Sequence, residues 1–133
     1  MVIRIASAVL TLAGLLALIS GALFWVGIAL NLITLHMLLG FLAVAALWTI
    51  GVAQATANGG SRMIALCALV VGALTIVLGL YQSSLMVGPS HWIIQVIHLI
   101  LGILTIGLGH MGAARYRRSS SVRIDREQLA RGE

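Results

Sequence analysis

NLITLHMLLGFLAVAALWTIGVAQ, residues 31–54, contains no charged side chain and a single histidine, His36, with a glycine four places on at Gly40. As a helix it is long enough to cross a hydrocarbon core, which needs about 20 apolar residues. Three further runs share its character, at about 5–28, 63–86 and 91–114. Between them lie Ala29-Leu30-Asn31, then Ala57-Asn58-Gly59-Gly60-Ser61-Arg62, then Gly88-Pro89-Ser90, all rich in turn formers. Pro89 blocks backward extension of the fourth run, and Ser90 is suited to cap it. The expectation is an all-α bundle of four transmembrane helices over residues 1–114, followed by a basic, solvated tail over 115–133.

Composition leaves little room for another class. Hydrophobic residues make up 61% of the 133, charged residues 8%, and the mean hydropathy is +1.13. A water-soluble domain could not cover its surface with so few polar groups. The first run is longer than a secretion signal and lacks a clear small-x-small cleavage site, so it reads as a retained helix. Cys67 is the only cysteine. It excludes an internal disulfide, a Cys-x-x-Cys redox pair and a thiolate metal centre, and it reads as packing.

The charges are segregated. Arg4 and Arg62 are the only charged residues before Arg115, whereas the tail RYRRSSSVRIDREQLARGE carries six arginines against three acids. With four crossings, the N-terminus, the loop at Arg62 and the tail share one side of the membrane. By the positive-inside rule that side is cytoplasmic. The expected location is the plasma membrane of a prokaryote, with lipid as the first partner. Trp25 and Trp92 then fall near the opposite, outer interface. Nothing in the sequence calls for nucleic acid.

The chain also repeats itself. GLLALISGALF (14–24) aligns with GALTIVLGLYQ (72–82), placing Gly14 and Gly21 opposite Gly72 and Gly79. A short loop follows each, and then HMLLG (36–40) or HLILG (98–102). Such duplication predicts two helical hairpins related by a pseudo-two-fold axis along the membrane normal. Glycines seven apart share a helix face. The first and third helices then show glycine strips, suited either to close helix packing or to a flat ligand. The second and fourth each show one histidine.

A histidine inside a membrane helix is costly and marks a candidate site. Under the pseudo-symmetry His36 and His98 face each other at similar depth in the outer half. Axial ligation of a haem iron, hydrogen bonding between helices, and another metal or a proton path are the uses open to the pair, and the first fits best. Gly40 and Gly102 lie one turn deeper on the same faces, where a β-carbon would press on a macrocycle. The candidate cofactor contacts are therefore His36, His98, Gly14, Gly21, Gly40, Gly72, Gly79 and Gly102, with the two histidines as metal ligands. His91 shares the face of His98 about 10 Å nearer the outer surface. It is a candidate for a haem propionate contact or an ordinary interfacial residue. His110 has Trp48 as its repeat counterpart, so a second histidine pair is not expected.

LVVGALTIVLGLYQSSLMVGPSHWIIQVIHLILGILTIGLGH (69–110) and TLHMLLGFLAV (34–44) resemble the third and fourth helices and the second helix of one half of a haem A synthase. That family is built from two four-helix halves with haem-binding histidines on the second and fourth helices. The resemblance covers residues 5 to about 112 and implies His36 and His98 as haem ligands. It departs from the family where Ile33 stands in place of an acid before the second-helix histidine, and the outer-loop cysteine pair is missing. It therefore implies the haem cradle without the oxygen chemistry.

The reading that follows is a small b-type cytochrome, or a haem-binding subunit of a membrane electron-transfer complex, holding one haem b. An electron-transfer role is expected ahead of a stand-alone enzyme. Quinol or a partner cytochrome or oxidoreductase subunit is the expected electron partner, within a larger complex or a homo-oligomer. The alternatives are a non-redox membrane scaffold and, third, a half-size haem A synthase-like protein or haem carrier. A proton-coupled multidrug exporter would need a membrane carboxylate, and a quinone-linked thiol oxidase would need cysteine pairs. The sequence has neither.

Overall fold

A computed structural model describes residues 1–132, and the side chains of all of these except 120, 123–127, 129 and 130. Its long helices are α1 (Val2–Trp25), α2 (Ile33–Thr56), α3 (Arg62–Tyr81) and α4 (His91–Arg131). Single 3₁₀ turns at Leu30–Leu32 and Gln82–Ser84 lie in the two loops at the end away from Arg4 and Arg62. No strand occurs among the described residues. All four helices are long and apolar enough to cross a membrane. Large apolar side chains such as Leu12, Leu66, Val77 and Ile103 point outward along them. By the length and apolarity of these helices the chain is an integral membrane protein.

Three helices depart from the sequence expectation at their C-terminal ends, and α1 also begins at Val2, earlier than expected. Helix α1 stops at Trp25, short of residue 28, because Gly27 and Ala29 adopt left-handed backbone at φ +76° and +60°. Helix α3 stops at Tyr81, short of residue 86. The Ser84 hydroxyl donates to the Tyr81 carbonyl at 2.8 Å, an alternative to the helical ladder that serine commonly offers. Met86 (φ +50°) and Gly88 (φ +108°) then turn the chain. Helix α4 passes the expected end at Ala114 and runs to Arg131, so the backbone shows no boundary between bundle and tail. Between Gly112 and Gly132 there is no glycine or proline to stop it, and the arginines and alanines there are good helix formers.

Helices α1 and α3 each pack against both α2 and α4, and α2 packs against α4 between them. This arrangement is the one a two-fold exchange of the hairpins α1–α2 and α3–α4 would leave unchanged. The packed core lies toward the arginine-bearing end, around Ile3, Ala6, Leu10, Leu47, Ile50 and Ala113. Gln54 is buried there and ties three segments together. Its Nε2 donates to the Gly112 carbonyl at 2.6 Å, and its Oε1 accepts from the Ser61 amide at 2.9 Å. Ser61 in turn caps α3, its hydroxyl accepting from the Ile64 amide at 3.3 Å.

Candidate functional site

His36 enters from the first turn of α2 and His98 from the second turn of α4, both near the bundle end that carries the 26–32 and 82–90 loops. Their ring centroids are 6.3 Å apart and the ring planes are inclined at 55°. The glycine strips explain how two rings reach the middle of so narrow a bundle. A β-carbon on Gly21 would lie 3.3 Å from Cε1 of His36, and one on Gly79 would lie 3.1 Å from Cε1 of His98. The repeat thus places an equivalent glycine against Cε1 of each ring, but the nitrogen beside it is Nδ1 in His36 and Nε2 in His98, so the two rings are turned differently. These two glycines clear space for the imidazoles themselves, a narrower role than the cradle for a flat ligand expected from the sequence.

The two rings differ in their other contacts. Nδ1 of His36 lies 3.0 Å from the Ser20 hydroxyl. That hydroxyl donates to the backbone carbonyl of Leu16 at 2.9 Å or of Ala17 at 3.0 Å. In the tautomer in which Nδ1–H donates to Ser20, the lone pair of His36 is on Nε2. Phe24 meets the same ring edge-on, with centroids 5.3 Å apart at 68°. Nδ1 of His98, by contrast, is buried with no hydrogen-bond partner among the described residues. The residue that occupies the place of Ser20 in the second repeat is Leu78. Serine at position 20 did not stand out in the sequence, although it is the one polar residue that interrupts the match between the two repeats just before their second glycine.

Around the rings lies a cavity of about 310 Å³. Its walls come from all four helices, and it extends from Trp25, Val26 and Gln82 at the loop end down to Gly14, Thr75 and Thr105 near mid-bundle. Most of the lining is apolar. At its floor Thr75 donates to the Val71 carbonyl at 2.8 Å and stands 3.2 Å from the Thr105 hydroxyl, so the two threonines satisfy each other. Gln82 and Gln95 also line the cavity. Their amides make no hydrogen bond within the described residues, which leaves them available to a polar ligand edge.

Of the candidate contacts, His36, His98, Gly14, Gly21, Gly40, Gly79 and Gly102 all border this cavity. Gly40 opens onto it directly, since a β-carbon there would meet nothing within 4 Å. Gly14 is backed by Ile106 and Gly102 by Leu18. Two candidates fall outside. Gly72 is the seat of the Trp48 indole, whose Nε1 donates to the Ala68 carbonyl at 3.2 Å, so its lack of a side chain serves the α2–α3 contact. His91 is turned toward its own loop, with Nδ1 donating to the Leu85 carbonyl at 3.1 Å. His110, near the arginine-bearing end, bridges to α1 through the Thr11 hydroxyl at 3.1 Å and takes no part. Met37 lines the cavity and Met86 does not.

Two imidazoles this close could each offer a nitrogen to one metal centre. No group of three or more His, Cys, Asp or Glu gathers anywhere in the described residues. Two imidazoles alone are a poor set for a bare ion, which takes about four protein donors in a structural site. They are sufficient for an iron whose remaining donors come from a macrocycle. No protein-family model, curated protein or solved structure matches the chain.

Proposed function

We propose that this protein is a small membrane cytochrome of b type, or the haem-binding subunit of a membrane electron-transfer complex, with one haem b held between His36 and His98. The observation that carries the reading is the pair of imidazoles 6.3 Å apart across a largely apolar cavity between four membrane helices. The haem would supply one-electron chemistry, while the chain sets its orientation and surroundings. With Nδ1–H donated to Ser20, His36 presents Nε2, and that outer hydrogen bond is one that ligating histidines commonly make. Gly21 and Gly79 let both rings stand close to the bundle axis. The apolar walls exclude water, and Gln82 and Gln95 offer hydrogen bonds toward the loop end.

The arginine distribution supports cytoplasmic termini. The loop end of the cavity then lies in the outer leaflet of the plasma membrane, where quinol or a partner cytochrome or oxidoreductase subunit would exchange electrons with it. One observation favours a scaffold reading, in which the histidines only link helices: the His36–Ser20 bond joins α2 to α1. His98 makes no corresponding bond, and an unpartnered buried nitrogen is a poor structural device.

The deciding measurement is the reduced-minus-oxidised spectrum of the detergent-purified protein from haem-replete cells. Sharp α and β bands that are lost in the His36→Ala/His98→Ala double variant, with a pyridine haemochrome of b type, are expected. A colourless wild-type protein would leave the scaffold reading in place.

A further inference from the structure

We infer that Gln82 and Gln95 form a carboxylate-binding subsite at the loop end of the cavity, which receives both propionates of the haem and so decides which of its edges points outward. This rests on the haem reading above and adds to it the orientation of the bound group and the residues that set it.

Apart from the imidazoles, the cavity has polar groups at two places, its floor and its loop end. At the floor Thr75 donates to the Val71 carbonyl, so the bond between the two hydroxyls uses the Thr105 proton and no donor is left for a carboxylate. At the loop end Gln82 and Gln95 line the cavity with amides that make no hydrogen bond within the described residues. Each amide has two N–H donors, whereas a carboxylate can only accept.

The repeat shows that these amides are particular to one hairpin. Gln82 aligns with Phe24 and Gln95 with Ile33, both apolar. Gln82 stands in the turn that follows α3, three residues past Gly79, and Gln95 lies one helical turn nearer the loop end than His98 on the same face of α4. A ligand here has apolar walls on both sides and hydrogen-bond donors along one edge. Haem b has the matching form, with its two propionates on one edge of an otherwise apolar macrocycle.

No arginine competes for that edge. The charged residues nearest in sequence, Arg62 and Arg115, are at the opposite end of the bundle. His91, the sequence candidate for a propionate contact, donates Nδ1–H to the Leu85 carbonyl, which leaves a lone pair on Nε2 of the neutral ring. A carboxylate taken into an apolar cavity without hydrogen bonds is strongly disfavoured. The two amides therefore make the outward orientation the favoured one.

The test titrates the full chain, made without haem and purified in detergent, with two iron porphyrins. One is haem b, and the other carries ethyl groups in place of both propionates. Binding is read from the Soret absorbance, and wild type should bind haem b the more tightly. Gln82→Met and Gln95→Met nearly keep the side-chain shape and remove the donors. Each should weaken haem b binding by about 10-fold or more, as for a hydrogen bond to a charged group, and the affinity for the ethyl analogue should stay within about 2-fold. The double variant should combine the two losses, and the single variants carry the same reading if the double one does not fold. Equal losses for both porphyrins overturn the inference and leave the haem reading standing. So does an undiminished affinity of the variants for haem b, or a wild type that prefers the ethyl analogue. A wild type that binds neither porphyrin overturns both.

Discussion

The two ends of this bundle are built from the same kinds of residue and packed to opposite purposes. Toward the arginine-bearing end, Leu10 lies against Gly109 with no room for a β-carbon, and a β-carbon on Gly112 would sit 2.9 Å from Ile50. Toward the loop end, Gly40 faces open space, and Gly21 and Gly79 stand back only far enough to admit imidazoles. In lipid there is little hydrophobic force pressing helices together, so association depends on close contact and on hydrogen bonds between helices. The closed end supplies that contact, with Gln54 as its polar fastener. The open end can then remain hollow because its helices are already held in register from below. Glycine therefore carries two messages in one chain, contact at one end and vacancy at the other.

Substitutions that exchange these roles should separate the ends. The largest effect is expected from Gly40→Phe, which fills the hollow. On the proposed haem reading, most haem should be lost in a pyridine haemochrome assay, with thermal stability in detergent unchanged or raised. Haem content equal to wild type would show that the cavity beside Gly40 is not where the cofactor lies. Gly109→Val makes the opposite change. Overpacking against Leu10 should cost about 1–3 kcal/mol, read as a lower midpoint of unfolding, while on the proposed haem reading the folded fraction keeps the wild-type spectrum.

Gln54→Leu should cost about 1–3 kcal/mol, because it leaves the Ser61 amide without a partner and removes the side-chain tie to the Gly112 carbonyl. It too should leave the spectrum alone, since it acts only at the closed end. Thr75→Val, at the floor of the cavity, removes one hydrogen bond between helices. The expected loss of stability is about 0.6 kcal/mol, the average for such bonds in membranes. A large spectral change there would mean that the floor contacts the cofactor, and the boundary between the two ends would have to be drawn lower.

Much of the frame was legible in the residues. Four apolar runs, three breaks and a repeat of glycine and histidine were sufficient to place four helices and to pair His36 with His98. The helix ends were less legible. Left-handed backbone at Ala29 and Met86, neither of them a glycine, shortened the connecting ends, and an uninterrupted run of helix formers carried α4 through a segment whose polarity suggested loose tail. Gly72 and Gly14 occupy matching places in the repeat, yet one seats Trp48 and the other borders the cavity. That difference follows from which large side chain arrives from the neighbouring helix, and periodicity does not encode it.

Hydropathy and charge, both properties of residues taken singly or in short windows, determined that this chain crosses a membrane four times and that two histidines lie inside it. Those quantities are set by the solvent, and lipid enforces them on any helix of that composition. Which glycines would be filled and which left open, and that Ser20 would hold one histidine while its counterpart holds nothing, depended on contacts between residues far apart in the chain. Only the packed bundle brings those partners within hydrogen-bond and van der Waals range, so only the tertiary structure could decide them.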